Sequence, residues 1–141
     1  MALEQVKGYF RSRLPSLGFV EWSDGFNFTN IPKTLLNDRW HLEMGRVTNV
    51  SQNQPLQLRW PVTLRLFKSP GRDPRTLMDD AILSLDIVLA DLLTAENRVA
   101  YSDNFKNLYL DSFRLEQLGE TNDNGVIIVI ELSALIVMAI S

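Results

Sequence analysis

His41 is the chain's one histidine, and Glu43 follows two residues later. On a strand, that spacing points both side chains the same way and offers two metal ligands. A stable transition-metal site takes three or four, and no third ligand is identifiable. His41 therefore reads as a surface histidine. A serine hydrolase would need a histidine base and a nucleophile elbow, and no Gly-x-Ser-x-Gly occurs. Ser69-Pro70-Gly71-Arg72 lacks the lysine and the preceding pattern of a phosphate loop. Asp79, Asp80, Asp86 and Asp91 offer carboxylates for acid–base work or magnesium. Their helical angles spread them over a broad outer face, which is the pattern of solvated charge. These residues predict a protein that is not an enzyme and that needs no metal or cofactor.

Composition narrows the class further. The chain has 141 residues, 45% of them hydrophobic and 22% charged, and no cysteine. That is enough chain for one domain with a sizeable core, and it excludes disulfides, thiolate zinc sites and cysteine nucleophiles. The formal net charge of -3 argues against a strongly basic nucleic-acid binder. Met1-Ala2-Leu3-Glu4-Gln5 has no basic-then-apolar pattern of a secretory signal. The longest apolar run, Val126 to Ile140, contains Glu131 and is shorter than the ~20 residues of a membrane helix. It reads as a long strand, and no membrane association is expected.

The elements that must position any site follow from periodicity. Leu3, Val6, Phe10 and Leu14 recur at helical spacing ahead of Pro15, with Gly8 as a weak point. Residues 15–38 are rich in turn formers and carry scattered aromatics, so an irregular, aromatic-anchored segment is expected. From Arg39 the period becomes two. Leu56, Leu58, Trp60, Val62, Leu64 and Leu66 alternate with Gln57, Arg59, Pro61, Thr63 and Arg65. Pro61 points to an edge position or a bulge. Asp73 as N-cap and Pro74 as first residue open a helix to about Leu93. Its stripe is Leu77, Met78, Ala81, Leu85, Val88, Leu89 and Leu92. Tyr101 to Asn104 reads as loop. A strand over Lys106 to Leu118 sets Tyr109, Asp111, Phe113 and Leu115 against Leu108, Leu110 and Ser112. The last strand, Gly125 to Ile140, is long enough either to bend or to reach a neighbour. The expected fold is a single α+β domain: a mainly antiparallel four-stranded sheet with two helices on one face.

Two surfaces stand out. Leu83, Ile87 and Ala90 lie opposite the helix's core stripe, among Asp79, Asp86 and Asp91. Such a strip is either an interface or is covered by a loop or the first helix. The outward face of the strand near residue 60 presents Arg59 and Arg65, with Phe67 at its end and Lys68, Arg72 and Arg75 beyond. It is either a second contact surface or an ordinary solvated face. Residues 1–75 hold 11 Lys/Arg and 6 Asp/Glu, a balance of +5, while residues 76–141 hold 3 and 11, a balance of -8. If the fold keeps the two on different sides, copies can meet basic side to acidic side. Such a contact is heterologous, and heterologous contacts close into rings or run on as filaments. The candidate interface is therefore Arg59, Arg65, Phe67, Arg72, Asp79, Leu83, Asp86, Ile87 and Asp91.

The order and lengths of these elements carry a resemblance. It is clearest in Val62-Thr63-Leu64-Arg65-Leu66-Phe67, the turn, and the Asp73-Pro74 helix with its acidic register. Asn97-Arg98, Lys106 to Ser112, and Glu116 to Asn124 before the long final strand continue it. In these respects the chain resembles the tail terminator (tail completion) proteins of long-tailed bacteriophages. Related head–tail stoppers and tail tube proteins share the pattern of elements. The resemblance implies a structural virion protein of the neck, assembled in the host cytoplasm into a hexameric ring. Its partners would be further copies of itself, the tail tube protein and the head connector. DNA would pass through the lumen without sequence readout. The family supplies no catalytic residues to carry over. A small non-viral adaptor domain is the reading from another class.

Overall fold

The structure is a computed structural model and describes residues 2–22, 37–51, 56–69, 76–102, 105–117 and 125–138. Among these residues are three α-helices, α1 (Ala2–Arg13), α2 (Leu77–Leu92) and α3 (Ala95–Tyr101), with a 3-10 turn over Leu14–Leu17. Six strands form one mixed sheet: β1 (Val20–Glu21), β2 (Arg39–Met44), β3 (Thr48–Ser51), β4 (Leu56–Lys68), β5 (Phe105–Gln117) and β6 (Val126–Met138). The spatial order is β1-β2-β4-β6-β5, and β3 pairs with β4 beyond the end of β2. The α+β class holds, but the sheet has six strands rather than four. The two additional strands, β1 and β3, have two and four residues, too few to give a periodic signal. The pair β1–β2 is parallel, so the sheet is mixed.

The strand β6 sits at the centre. It pairs antiparallel with β4 from Val126↔Lys68 to Met138↔Leu56, and with β5 on its other side. Its even-numbered residues, from Val126 to Ile136, are buried beneath the helices. The sequence run is apolar on both parities because both faces of the strand are largely covered. This strand is therefore core and not an arm that leaves the domain; residues 139–141 lie outside the described ones.

The main core joins Val6, Tyr9, Phe10 and Leu14 of α1 to Leu77, Ala81, Leu85, Val88 and Leu92 of α2 over the even face of the sheet. Met78, expected in the α2 stripe, is exposed. Gly8 in α1 is a point of close approach. A Cβ there would stand 2.0 Å from the Tyr101 hydroxyl of α3, so a larger residue would push that partly exposed ring aside. The helix α3 lies in a stretch for which no element was expected. Glu96, Asn97 and Arg98 hide its period, and its large hydrophobic residues, Val99 and Tyr101, are exposed. The proposed cap at Asp73 and Pro74 lies outside the described residues.

Pro61 sits in neither an edge strand nor a bulge of its own. On one side β4 faces β6 without interruption. On the other, β2 ends at Met44↔Val62 and β3 begins at Thr48↔Arg59. Pro61 occupies that gap, where a ladder N–H is not required. The Gly45 N–H donates to the Pro61 carbonyl at 2.7 Å, and the Trp60 indole N–H donates to the Gly45 carbonyl at 2.7 Å. A Cβ on Gly45 would fall 2.7 Å from that Pro61 oxygen, so the crossing from β2 to β3 requires glycine.

Tyr9 ties α1 to the end of α2. Its hydroxyl donates to the Leu92 carbonyl at 2.8 Å, inside the core. Burial, reinforced by the Asp91 carboxylate, pushes the phenol up to about 12. Tyr9→Phe keeps the ring and leaves a last-turn carbonyl without its donor. It should lower unfolding free energy by about 1–2 kcal/mol, read from urea midpoints at unchanged m.

Candidate interaction surface

An exposed apolar groove of about 740 Å³ runs between α2 and β5. Its floor is Leu85, Leu89 and Leu115, its walls are Ile82, Leu83 and Phe113, and Asp79 and Asp86 stand on its rim. Leu83 is 59% exposed, Ile87 47% and Phe113 53%. No described loop or helix covers the strip that Leu83 and Ile87 begin. Exposed apolar side chains this close together are unusual on a monomer's surface.

Phe113 reaches the groove because of a register shift. The pairing runs Leu108↔Ala134 and Leu110↔Leu132, then Ser112↔Glu131 and Phe113↔Ile130. Asp111 is the extra residue, and one extra residue flips every later side chain to the opposite face. Leu108 and Leu110 therefore share the helix-covered face with Phe113 and Leu115. The simple alternation expected for this strand is wrong from Asp111 onward. Phe113 was missed as a surface candidate for that reason, and Ile82 and Leu110, also exposed, were missed beside it. The signal was present: apolar residues switch from even to odd positions between Leu110 and Phe113.

The acidic residues divide into two groups. Asp79, Asp80 and Asp86 are exposed and make no ion pair among the described residues. Asp91 is held inside the chain. The Arg13 Nε donates to Asp91 Oδ1 at 2.8 Å and Nη2 to Oδ2 at 2.6 Å, a two-pronged pair between α1 and α2. Asp91 is thus committed to holding the two helices together.

The outward sheet face differs from the expected basic patch. Arg65 is within 3.0 Å of Glu43, across the β2–β4 ladder. Arg59 approaches Asp111 at 3.4 Å, and the buried Ser133 hydroxyl donates to the same carboxylate. Arg114 lies against Glu116 and Glu131, and the Ser112 hydroxyl donates to Glu131 at 2.9 Å. Phe67 is 1% exposed and packs with Ile127, Val129 and Trp22 in a second small cluster. Arg59 and Arg65 therefore stand in a mixed-charge lattice, and Phe67 is not offered to a partner. Antiparallel pairing brings carboxylates of β2, β5 and β6 within reach of the arginines on this face. Arg72 lies outside the described residues. Of the expected residues, Asp79, Leu83, Asp86 and Ile87 share one surface; Arg59, Arg65 and Phe67 lie on the opposite face.

His41 faces outward opposite Arg65, on the same face as Glu43. Among the described residues no three His, Asp or Glu side chains gather as a metal site. Burial, then the Arg65 guanidinium, lowers the His41 pKa, with Glu43 acting in the opposite sense. The folded chain therefore binds this proton less readily than the unfolded one. Stability is lost as pH falls below about 6.5. The drop in urea midpoint from pH 7 to pH 5 should be smaller in His41→Gln than in the natural chain.

Exposure makes a second prediction. Leu83→Asp and Ile87→Asp should each change unfolding free energy by no more than about 0.5 kcal/mol. Leu85→Ala, one position from the rim but in the core, should cost about 2–5 kcal/mol. Parallel urea titrations check both. The chain matches no protein-family model and no curated protein, so what the groove takes must be argued from its own chemistry.

Proposed function

We propose that the protein is a structural subunit that acts by assembly, a ring component of the neck of a long-tailed phage. The observation that carries this reading is the α2–β5 groove, an apolar surface framed by aspartates that make no ion pair among the described residues, beside a strand with no outer partner among them. Buried against a neighbour, such a surface supplies affinity, while the charges set register and encounter rate. The order and lengths of the elements support the tail terminator assignment. In that role the ring, hexameric by resemblance, caps the head-proximal end of the tail tube and ends its polymerisation. Its free side receives the head connector, and DNA passes through without sequence readout. The chemistry asked of the chain is complementarity, not catalysis.

The test is native mass spectrometry or mass photometry at low salt, with and without the tail tube protein. The expected result is a closed oligomer, alone or on the tube end, and tubes of limited length when the protein is present. A chain that stays monomeric under both conditions and leaves tube length unchanged contradicts the proposal. Tight binding to an unrelated protein by such a monomer would mark the groove as an adaptor site.

A further inference from the structure

Among the described residues, the helical layer stops short of the end of β5. Phe105 and Leu108, near the start of that strand, are 1% and 4% exposed. Leu110 and Phe113, further along the same face, are 37% and 53% exposed. The helix α2 stands beside this stretch with Ile82 and Leu83 exposed, and the groove lies between them. Apolar sheet and helix surfaces side by side call for one more packed element.

A strand is a poor candidate for that element. The pairing of β5 with β6 shifts register between Phe105 and Asn107 and again between Leu110 and Ser112. Lys106 and Asp111 are the extra residues, and both are exposed. Bulges and charges of this kind interrupt an edge ladder and keep other strands off it. A helix meets no such obstacle, because it packs on the side chains of Phe113 and Leu115 and asks nothing of the β5 main chain. The groove follows α2 from Asp79 to Leu89, about 15 Å along its axis, or about three turns of a helix laid beside it.

Charge selects among helices. The charged residues of α2 are Asp79, Asp80, Asp86 and Asp91, with no lysine or arginine. Arg13 occupies Asp91, while Asp79 and Asp86 stand on the rim without an ion pair among the described residues. A two-fold contact between α2 helices of two copies would set these carboxylates against their equivalents. The described helices of a second copy offer nothing better. Among its described residues α1 exposes no large apolar side chain, and Val99 and Tyr101 of α3 are two positions apart and do not share a face.

We propose that the groove receives an amphipathic helix of a partner protein. Its apolar residues at i, i+3 or i+4 and i+7 pack on Leu83, Phe113 and Leu115, and its lysines or arginines meet Asp79 and Asp86. This rests on the assembly reading above, which gives the groove a neighbour, and it names the chemistry that the neighbour presents.

Fluorescence anisotropy of the natural chain with labelled synthetic peptides is the test. The first probe is a stapled helix of about 14 residues, with Leu at i, i+3, i+4 and i+7 and Lys on both sides of that stripe. The second replaces each Lys by Glu, and the third alternates Leu and Lys at strand period. The first should bind saturably and the other two about 10-fold more weakly or worse. Leu83→Asp should abolish binding of the first probe, although it adds an attractive charge. Asp79→Lys with Asp86→Lys should turn the preference to the Glu helix. All three positions are exposed, and circular dichroism checks that each variant folds. Absent binding of the first probe, equal binding of either other probe, or undiminished binding by Leu83→Asp overturns the proposal. A lower urea midpoint for Leu83→Asp in the dilute chain means that one of its own segments fills the groove. First-probe binding that vanishes as the natural chain self-associates means that a second copy fills it. Either result also overturns the proposal. If the natural chain assembles with the tail tube protein but binds no helix probe, the occupant is wrong and the assembly reading survives. If the helix binds as expected while the chain stays monomeric with and without that protein, the assembly reading fails and the helix site stands.

Discussion

The pairing of β6 with both neighbours is the interaction on which the rest depends. This strand runs antiparallel to β4 over its whole length and carries β5 on its other side. An apolar central strand must be covered on both faces. On the even face α1 and α2 provide the cover. On the odd face the cover is divided. Trp22 and Phe67 bury Ile127 and Val129 at one end, while Ser133 and Glu131 join a lattice of hydrogen bonds and ion pairs at the other. That lattice uses Arg59, Arg65 and Arg114, which is why the outward face is polar but not basic.

The same pairing sets the groove. Because β6 lies between β4 and β5, β5 is an outer strand with no partner on its far side among the described residues. The register shift at Asp111 turns Phe113 and Leu115 toward α2. The helix α2 covers β6 but leaves the outer rim of β5 partly open, and the groove is the space between them. Asp91 is drawn inward by Arg13, so the aspartates left on the groove's rim are Asp79 and Asp86. A surface of this kind follows from ordinary folding constraints, and it leaves apolar area that a neighbour can remove from water.

Long periodic elements were legible in the sequence. The stripes of α1 and α2, the alternation of β4 and the apolar run of β6 each span enough residues for burial to impose a period. The short elements were not. Two-residue β1 and four-residue β3 owe their pairing to neighbours rather than to their own pattern. Pro61 suggested an edge, yet the strand is internal and the proline fits a local gap between β2 and β3. Leu83 and Ile87 were recognisable because they fall outside a clear helical stripe. Phe113 was hidden by an extra residue in a strand, which a strict period of two cannot absorb. The split of the net charge into +5 and -8 along the sequence does not separate into two sides of the fold, because α1 carries its basic residues onto β6 and β5 and the arginines of β4 meet carboxylates.

Hydrogen–deuterium exchange on dilute monomer and on the assembled protein tests the central claim most directly. Exposed amides exchange fast, and a docked neighbour protects them. The account predicts new protection along Leu77–Leu92 of α2 and Phe105–Gln117 of β5 on assembly, with the β4–β6 ladder unchanged. Protection confined to other elements, with α2 and β5 exchanging as in the monomer, would contradict it.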